Sequence, residues 1–147
     1  MGTEQTMVEV TIPSRPGYER VAAECSASFA GMTGLTAERV EDIRTAVAEA
    51  CANAMEHGSG GRGDARVTLT LEICDGAVVA SVWDAGPGIR EPPSHPSIER
   101  KIQGLEPPKG WGLFLIRGLA DEVDLNVAVA RGHAVKMVFK SRERTSP

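Results

Sequence analysis

The order of elements legible in this 147-residue chain predicts an α+β fold: a two-layer sandwich in which a mixed, mostly antiparallel sheet carries helices on one face. Three observations predict it. The strand patterns come in hairpins, which favours antiparallel pairing over the βαβ units of a parallel sheet. Two helical patterns stand in tandem after the first strand, and a third separates the two hairpins. A hydrophobic fraction of 41% in a chain of this length supplies one core, so residues 1–147 are read as a single domain, with a flexible tail over about 141–147.

"MVEVTI" (7–12) alternates like a strand, and "PSRPG" (13–17) breaks it. A helix is predicted over about 18–30, with Val21, Ala22, Cys25, Ser28 and Phe29 at helical spacing. After "GMTGL", Thr36 stands as an N-cap, but Arg39 occupies the place where a capping box would have an acid. The helix that follows runs to about His57, with Val40, Ile43, Val47, Ala50 and Ala54 on one stripe. The glycines of "GSGGRGD" end it, and "ARVTLTLEIC", a "DG" turn and "AVVASVW" read as a β-hairpin. The segment 84–112 is irregular, rich in glycine, proline and charge, and reads as a mobile loop. A third helix is predicted over about 113–122 with Leu113, Ile116, Leu119 and Ala120 inward, and "VDLNVAVA" and "AVKMVFK" form a second hairpin.

Charge and composition exclude several functions. Sixteen basic against twenty acidic residues give a net charge of -4, which disfavours direct binding to nucleic acid, where cations must displace counterions from phosphates. No apolar run is long enough for a membrane span, and "MGTEQTMVEV" lacks the basic and apolar regions of a secretory signal, so a cytoplasmic protein is expected. Cys25, Cys51 and Cys74 are odd in number and scattered within apolar patterns; they read as buried thiols of a reducing compartment.

Three clusters could carry chemistry. Glu49 and Asn53 lie one turn apart at the edge of the apolar stripe of their helix, a place that borders both core and cleft. "DAGPG" puts Asp84, Gly86 and Gly88 at the end of a strand, which in isolation is an ordinary turn. "KGWG" puts Lys109, Gly110 and Gly112 at the opening of a helix, where free backbone N–H groups and the helix dipole suit a phosphate. Neither the dinucleotide fingerprint nor the P-loop pattern is met. His57 reads as a helix-end residue interacting with the negative dipole, and Trp83 and Trp111 as packing anchors.

In this order and with these flanks, the three clusters resemble the N, G1 and G2 boxes of the GHKL (Bergerat-fold) ATPase superfamily. Within it the chain is similar to the small bacterial anti-sigma factor serine/threonine kinases. The phrases "VTIPSRPGYERV", "EDIRTAVAEACANAMEHG" and "GWGLFLIRGLADEVDL" carry that likeness, which spans about residues 7–140.

The resemblance implies ATP and Mg²⁺ as cofactors, with Asn53 the Mg²⁺ ligand and Glu49 the general base that takes the proton of an acceptor serine. It implies that Asp84 accepts a hydrogen bond from the adenine amino group, that Gly86 and Gly88 admit the base, and that Gly110 and Gly112 close on the phosphates. Residues 92–109 would be the ATP lid, with Arg100, Lys101 and Lys109 facing phosphate charge. The implied partners are a STAS-domain anti-anti-sigma factor, which the kinase phosphorylates, and an RNA polymerase sigma factor, which it sequesters. Arg15 and Arg20 are candidate partner contacts, and a homodimer is implied. Two alternatives stay open: a switch kinase acting on a STAS scaffold without sigma binding, and a nucleotide-dependent binding module without transfer.

Overall fold

Alternating apolar residues on five strands build one sheet face, and that face decides where the helices lie. In the computed structural model, residues 6–58, 65–84, 109–129 and 132–141 are described. The strands are β1 (Met7–Pro13), β2 (Arg66–Cys74), β3 (Ala77–Asp84), β4 (Glu122–Val129) and β5 (Gly132–Phe139). They pair in the order β1-β2-β3-β5-β4, and all four pairings are antiparallel among the described residues. The register aligns Val10, Leu69, Val82 and Val135 in one row across four strands, and Ile73, Val78 and Phe139 in another. Asp75 (φ 52°) and Gly76 (φ 78°) both take the left-handed conformation that a two-residue β2–β3 turn demands, which is why "DG" is there.

The helices α1 (Glu19–Gly31), α2 (Ala37–Gly58) and α3 (Lys109–Leu119) form the second layer. α2 lies at its centre, burying Ile43, Val47 and Ala50 from the predicted stripe, with Val40 and Ala54 packed at the margin. Thr36 does cap it, its Oγ1 accepting the Arg39 N–H at 3.2 Å. β1 is one sheet edge and β4 the other, where the register slips between Asp124 and Val127, a bulge that interrupts the edge ladder.

Three expectations need correction. On α1, Val21 and Ser28 face solvent, while Ala22, Ala23, Ser26, Ala27, Phe29 and Ala30 are buried. Small side chains let α1 approach α2 closely, and Ser26 satisfies its buried hydroxyl by donating to the Ala23 carbonyl at 2.7 Å. α3 begins at Lys109, four residues earlier than its apolar pattern, and ends at Leu119, because the Asp121 N–H already donates to the Val138 carbonyl at 2.8 Å as the chain enters β4. Of the cysteines, Cys51 is buried, Cys25 is half-buried and Cys74 is exposed.

Arg39 is the other surprise. Its side chain is 1% exposed, the largest among the fully buried ones, and its guanidinium pairs with Asp42 and Asp121 and lies over the Phe139 ring, 5.5 Å from its centroid.

Burial, with a smaller contribution from Glu19, pushes the Cys51 thiol up to about 12, so it stays protonated at neutral pH. With a thiol reagent at pH 8, Cys74 is expected to react rapidly in the native protein and Cys51 only after denaturation. Native labelling of Cys51 at the rate of Cys74 would contradict the packing of α2.

Candidate functional site

Glu49 and Asn53 project from the C-terminal half of α2, just outside the stripe that faces the sheet. Asn53 is 7% exposed and Glu49 is half-buried, so the pair borders the core rather than standing in free solvent. The first turn of α3 lies directly on them. A Cβ added at Gly112 would come within 3.0 Å of both the Asn53 Nδ2 and the Glu49 Oε2, and 3.2 Å from the Asn53 Oδ1. Contacts this short would force the Glu49 and Asn53 side-chain ends to give way by a few tenths of an ångström, so a residue without a side chain is what lets α3 seat on them undisturbed.

The Asn53 Nδ2 is buried and has no hydrogen-bond partner among the described residues. Leaving such a donor unpaired costs about 1–3 kcal/mol. The sequence placed Gly112 correctly at the opening of a helix. It could not show that the missing side chain clears room for Glu49 and Asn53 as well as freeing a backbone N–H.

A divalent cation fits this donor set. The Asn53 carbonyl and the Glu49 carboxylate are hard oxygen donors one turn apart, and no cluster of three or more His, Cys, Asp or Glu side chains forms a closed metal cage among the described residues. A site with one or two protein donors suits Mg²⁺, which keeps its remaining positions for water and phosphate oxygens.

Asp84 closes β3. Its parity with Val82 puts it on the helix-bearing face, opposite Val67 in the register, where it is half-buried. Trp83, one residue earlier, therefore faces the other side of the sheet, half-buried beside Thr68 and Ala134. Gly86, Gly88 and residues 92–108 of the proposed lid, Arg100 and Lys101 among them, lie outside the described residues. Lys109, Gly110 and Trp111 fall in the first turn of α3 and His57 in the last turn of α2, where the backbone alone is described. Arg15, in the turn after β1, and Arg20, in the first turn of α1, are both exposed. The structure thus brings Glu49, Asn53 and Gly112 into one place and leaves the two arginines apart from them in sequence and in element.

Residues 12–139 match the family of the histidine kinase-like ATPase domain. Among characterised proteins, the chain is 28% identical over 128 residues to the serine-protein kinase RsbW of Oceanobacillus iheyensis, covering 81% of this chain and 78% of that one. It is 32% identical over 100 residues to the anti-sigma F factor of Clostridium botulinum, covering 63% and 70% respectively. Among solved structures, the RsbU and RsbW domains of Rv1364c from Mycobacterium tuberculosis superpose with a TM-score of 0.60 over 92% of this chain, at 22% identity, a likeness of fold that takes up 32% of that longer chain.

Two glycines of α3 separate site from scaffold. A Cβ at Gly118 meets nothing within 4 Å, whereas one at Gly112 meets the polar pair. Alanine in place of either glycine favours the helix by up to about 1 kcal/mol. Gly118→Ala is expected to raise the melting temperature and leave Mg-ATP binding unchanged. Gly112→Ala is expected to fold, since the Glu49 and Asn53 side-chain ends can yield, yet to bind Mg-ATP about tenfold or more weakly by titration calorimetry. Equal ATP affinity in the two variants would contradict this placement of the site.

Proposed function

Because this chain belongs to the family of the histidine kinase-like ATPase domain, we propose that it is an ATP- and Mg²⁺-dependent protein serine/threonine kinase and an anti-sigma factor. Its relatives named serine-protein kinase RsbW and anti-sigma F factor support that reading. The observation that carries it is the seating of Gly112 on Glu49 and Asn53, which gathers an acid, an amide oxygen and a helix N-terminus at one point.

Each residue has a distinct task in this reading. Asp84, on the helix face at the end of β3, accepts a hydrogen bond from the adenine amino group, and Gly86 and Gly88 let the backbone approach the base. The first turn of α3, from Lys109 through Gly112, offers backbone N–H groups and the positive end of its dipole to the phosphates. Asn53 holds Mg²⁺ through its Oδ1, and the metal supplies charge neutralisation to the triphosphate. The Glu49 carboxylate accepts the proton of the acceptor hydroxyl as that oxygen forms its bond to the γ-phosphorus. The bond from the γ-phosphorus to the β–γ bridging oxygen breaks, and ADP leaves with that oxygen. A base on the same helical face as the metal ligand keeps both at fixed distance from the transferred group.

The acceptor we assign is a serine or threonine on a STAS-domain anti-anti-sigma factor, and the second partner is an RNA polymerase sigma factor. Phosphate added to the antagonist brings negative charge and a desolvation cost into its interface with the kinase, so the kinase is released to the sigma factor. Arg15 and Arg20 are the contacts we assign to these partners, on an exposed turn and helix start. The protein acts in this reading as a homodimer in the cytoplasm; no helix of the described residues is long and apolar enough to cross a membrane.

Incubation with γ-labelled ATP, Mg²⁺ and a purified cognate STAS-domain protein is expected to place label on a serine or threonine of that protein. Absence of transfer with all components saturating would overturn the kinase reading. Copurification of a sigma factor that is lost on adding the unphosphorylated STAS protein would establish the second role, and failure to bind any sigma factor would restrict the protein to a switch kinase.

A further inference from the structure

We propose that Arg39 is a positioning residue: it fixes α3 along α2, and through α3 the seat of Gly112 on Glu49 and Asn53. This rests on the reading of that pair as the phosphotransfer site.

α2 touches α3 at both of its ends. Near one end of α3 is the Gly112 contact. At the other, Arg39, on the first turn of α2, donates from Nη1 to the carbonyl of Leu119, the last residue of α3, at 2.9 Å. Its Nη2 pairs with Asp121, in the short link from α3 to β4, and its Nε donates to the Lys140 carbonyl at 3.3 Å, at the end of β5. Asp42, one turn further along α2, holds Nη1 at 2.9 Å and so orients the guanidinium from its own helix. Asp121 is fixed in turn, accepting the Lys140 backbone N–H at 2.7 Å on Oδ2.

The Leu119 carbonyl is among those that a helix C-terminus leaves unpaired, and it lies at the negative end of the helix dipole. Arg39 therefore acts as a C-terminal cap for α3 supplied by another helix. Between those two points, Leu113 and Ile116 of α3 are buried in the same apolar cluster as Ile43, Val47 and Ala50 of α2. Apolar packing tolerates a slide or a roll at modest cost, whereas a forked guanidinium with four acceptors fixes distance and angle together.

The spans agree with a two-point clamp. Glu49 lies about 15 Å beyond Arg39 along α2, and Leu119 about 10 Å beyond Gly112 along α3, so the reach of the buried arginine side chain makes up the difference. Displacing α3 by a fraction of its rise per residue moves Gly112 off the polar pair. Lysine at position 39 keeps a charge but presents one nitrogen, which cannot serve the Leu119 and Lys140 carbonyls and both carboxylates at once.

The test compares Arg39→Met, Arg39→Lys and Leu71→Ala by titration with Mg-ADP. Leu71 is buried under the β1–β2 side of the sheet, away from α3, so its truncation lowers stability without touching the clamp. The result expected is ADP binding about tenfold weaker in Arg39→Met, partial recovery in Arg39→Lys, and wild-type affinity in folded Leu71→Ala. Wild-type affinity in Arg39→Met, or an equal loss in Leu71→Ala, would overturn the proposal. Should Arg39→Met not fold, Asp121→Asn keeps an acceptor for Lys140 but removes the charge; it is expected to weaken ADP binding severalfold, and unchanged affinity would overturn the proposal. If the wild-type protein itself does not bind ADP, the kinase reading fails and the clamp is judged by hydrogen exchange. Faster exchange at the Leu113 to Leu119 amides in Asp121→Asn than in Leu71→Ala upholds it, and equal exchange overturns it.

Discussion

The packing of α3 onto α2 at Gly112 is the constraint on which the arrangement of the proposed functional residues depends. Helix pairs ordinarily interlock through side chains, and here one helix meets the other through bare backbone at the point where the second presents a carboxylate and an amide. The consequence is a close polar contact at the margin of an apolar layer, covered by the first turn of a helix. Glu49 and Asn53 can stay half-buried and buried there without being smothered by a neighbouring side chain. Among the described residues the Asn53 Nδ2 has no hydrogen-bond partner, so this contact is not optimised for stability at that atom.

The rest of the molecule holds that contact in place. The sheet supplies a rigid apolar face whose rows of Val10, Leu69, Val82 and Val135 fix the height of α2, and α2 carries both functional side chains on one rigid element. β3 delivers Asp84 to the same side by strand parity alone. Arg39 ties the far end of α3 to the start of α2 and to the ends of β4 and β5, so the elements around the site share one buried hub. A buried ion pair is weak grounds for a stability argument, since its desolvation offsets much of its attraction; registry is the better account of its place here.

Much of this was legible in the residues, and what was not has identifiable causes. The stripe of α2, the "DG" turn and the alternation of β2 are local signals, and the structure follows them closely. The inward face of α1 was misread because alanines carry little hydrophobic signal, so Val21 outweighed the small residues that make the close contact. α3 was started late because glycines and a lysine precede its apolar pattern, yet its first turn is the part that meets the site. The largest omission was Arg39. A basic residue where a capping box wants an acid was the visible sign, but apart from Asp42 its partners lie 80 to 101 residues away in sequence, beyond any local pattern. The three functional clusters were each ordinary when alone; their order along the chain, and not the chemistry of any one, made them recognisable.

The most direct test of the central claim replaces the base while keeping its shape. Glu49→Gln retains an oxygen and the volume of the side chain but cannot take a proton at the acceptor hydroxyl. The account predicts Mg-ATP affinity within about twofold of the wild type together with phosphotransfer slowed by about 10²- to 10⁴-fold in a single-turnover measurement with the STAS-domain acceptor. Transfer at the wild-type rate by Glu49→Gln would contradict it.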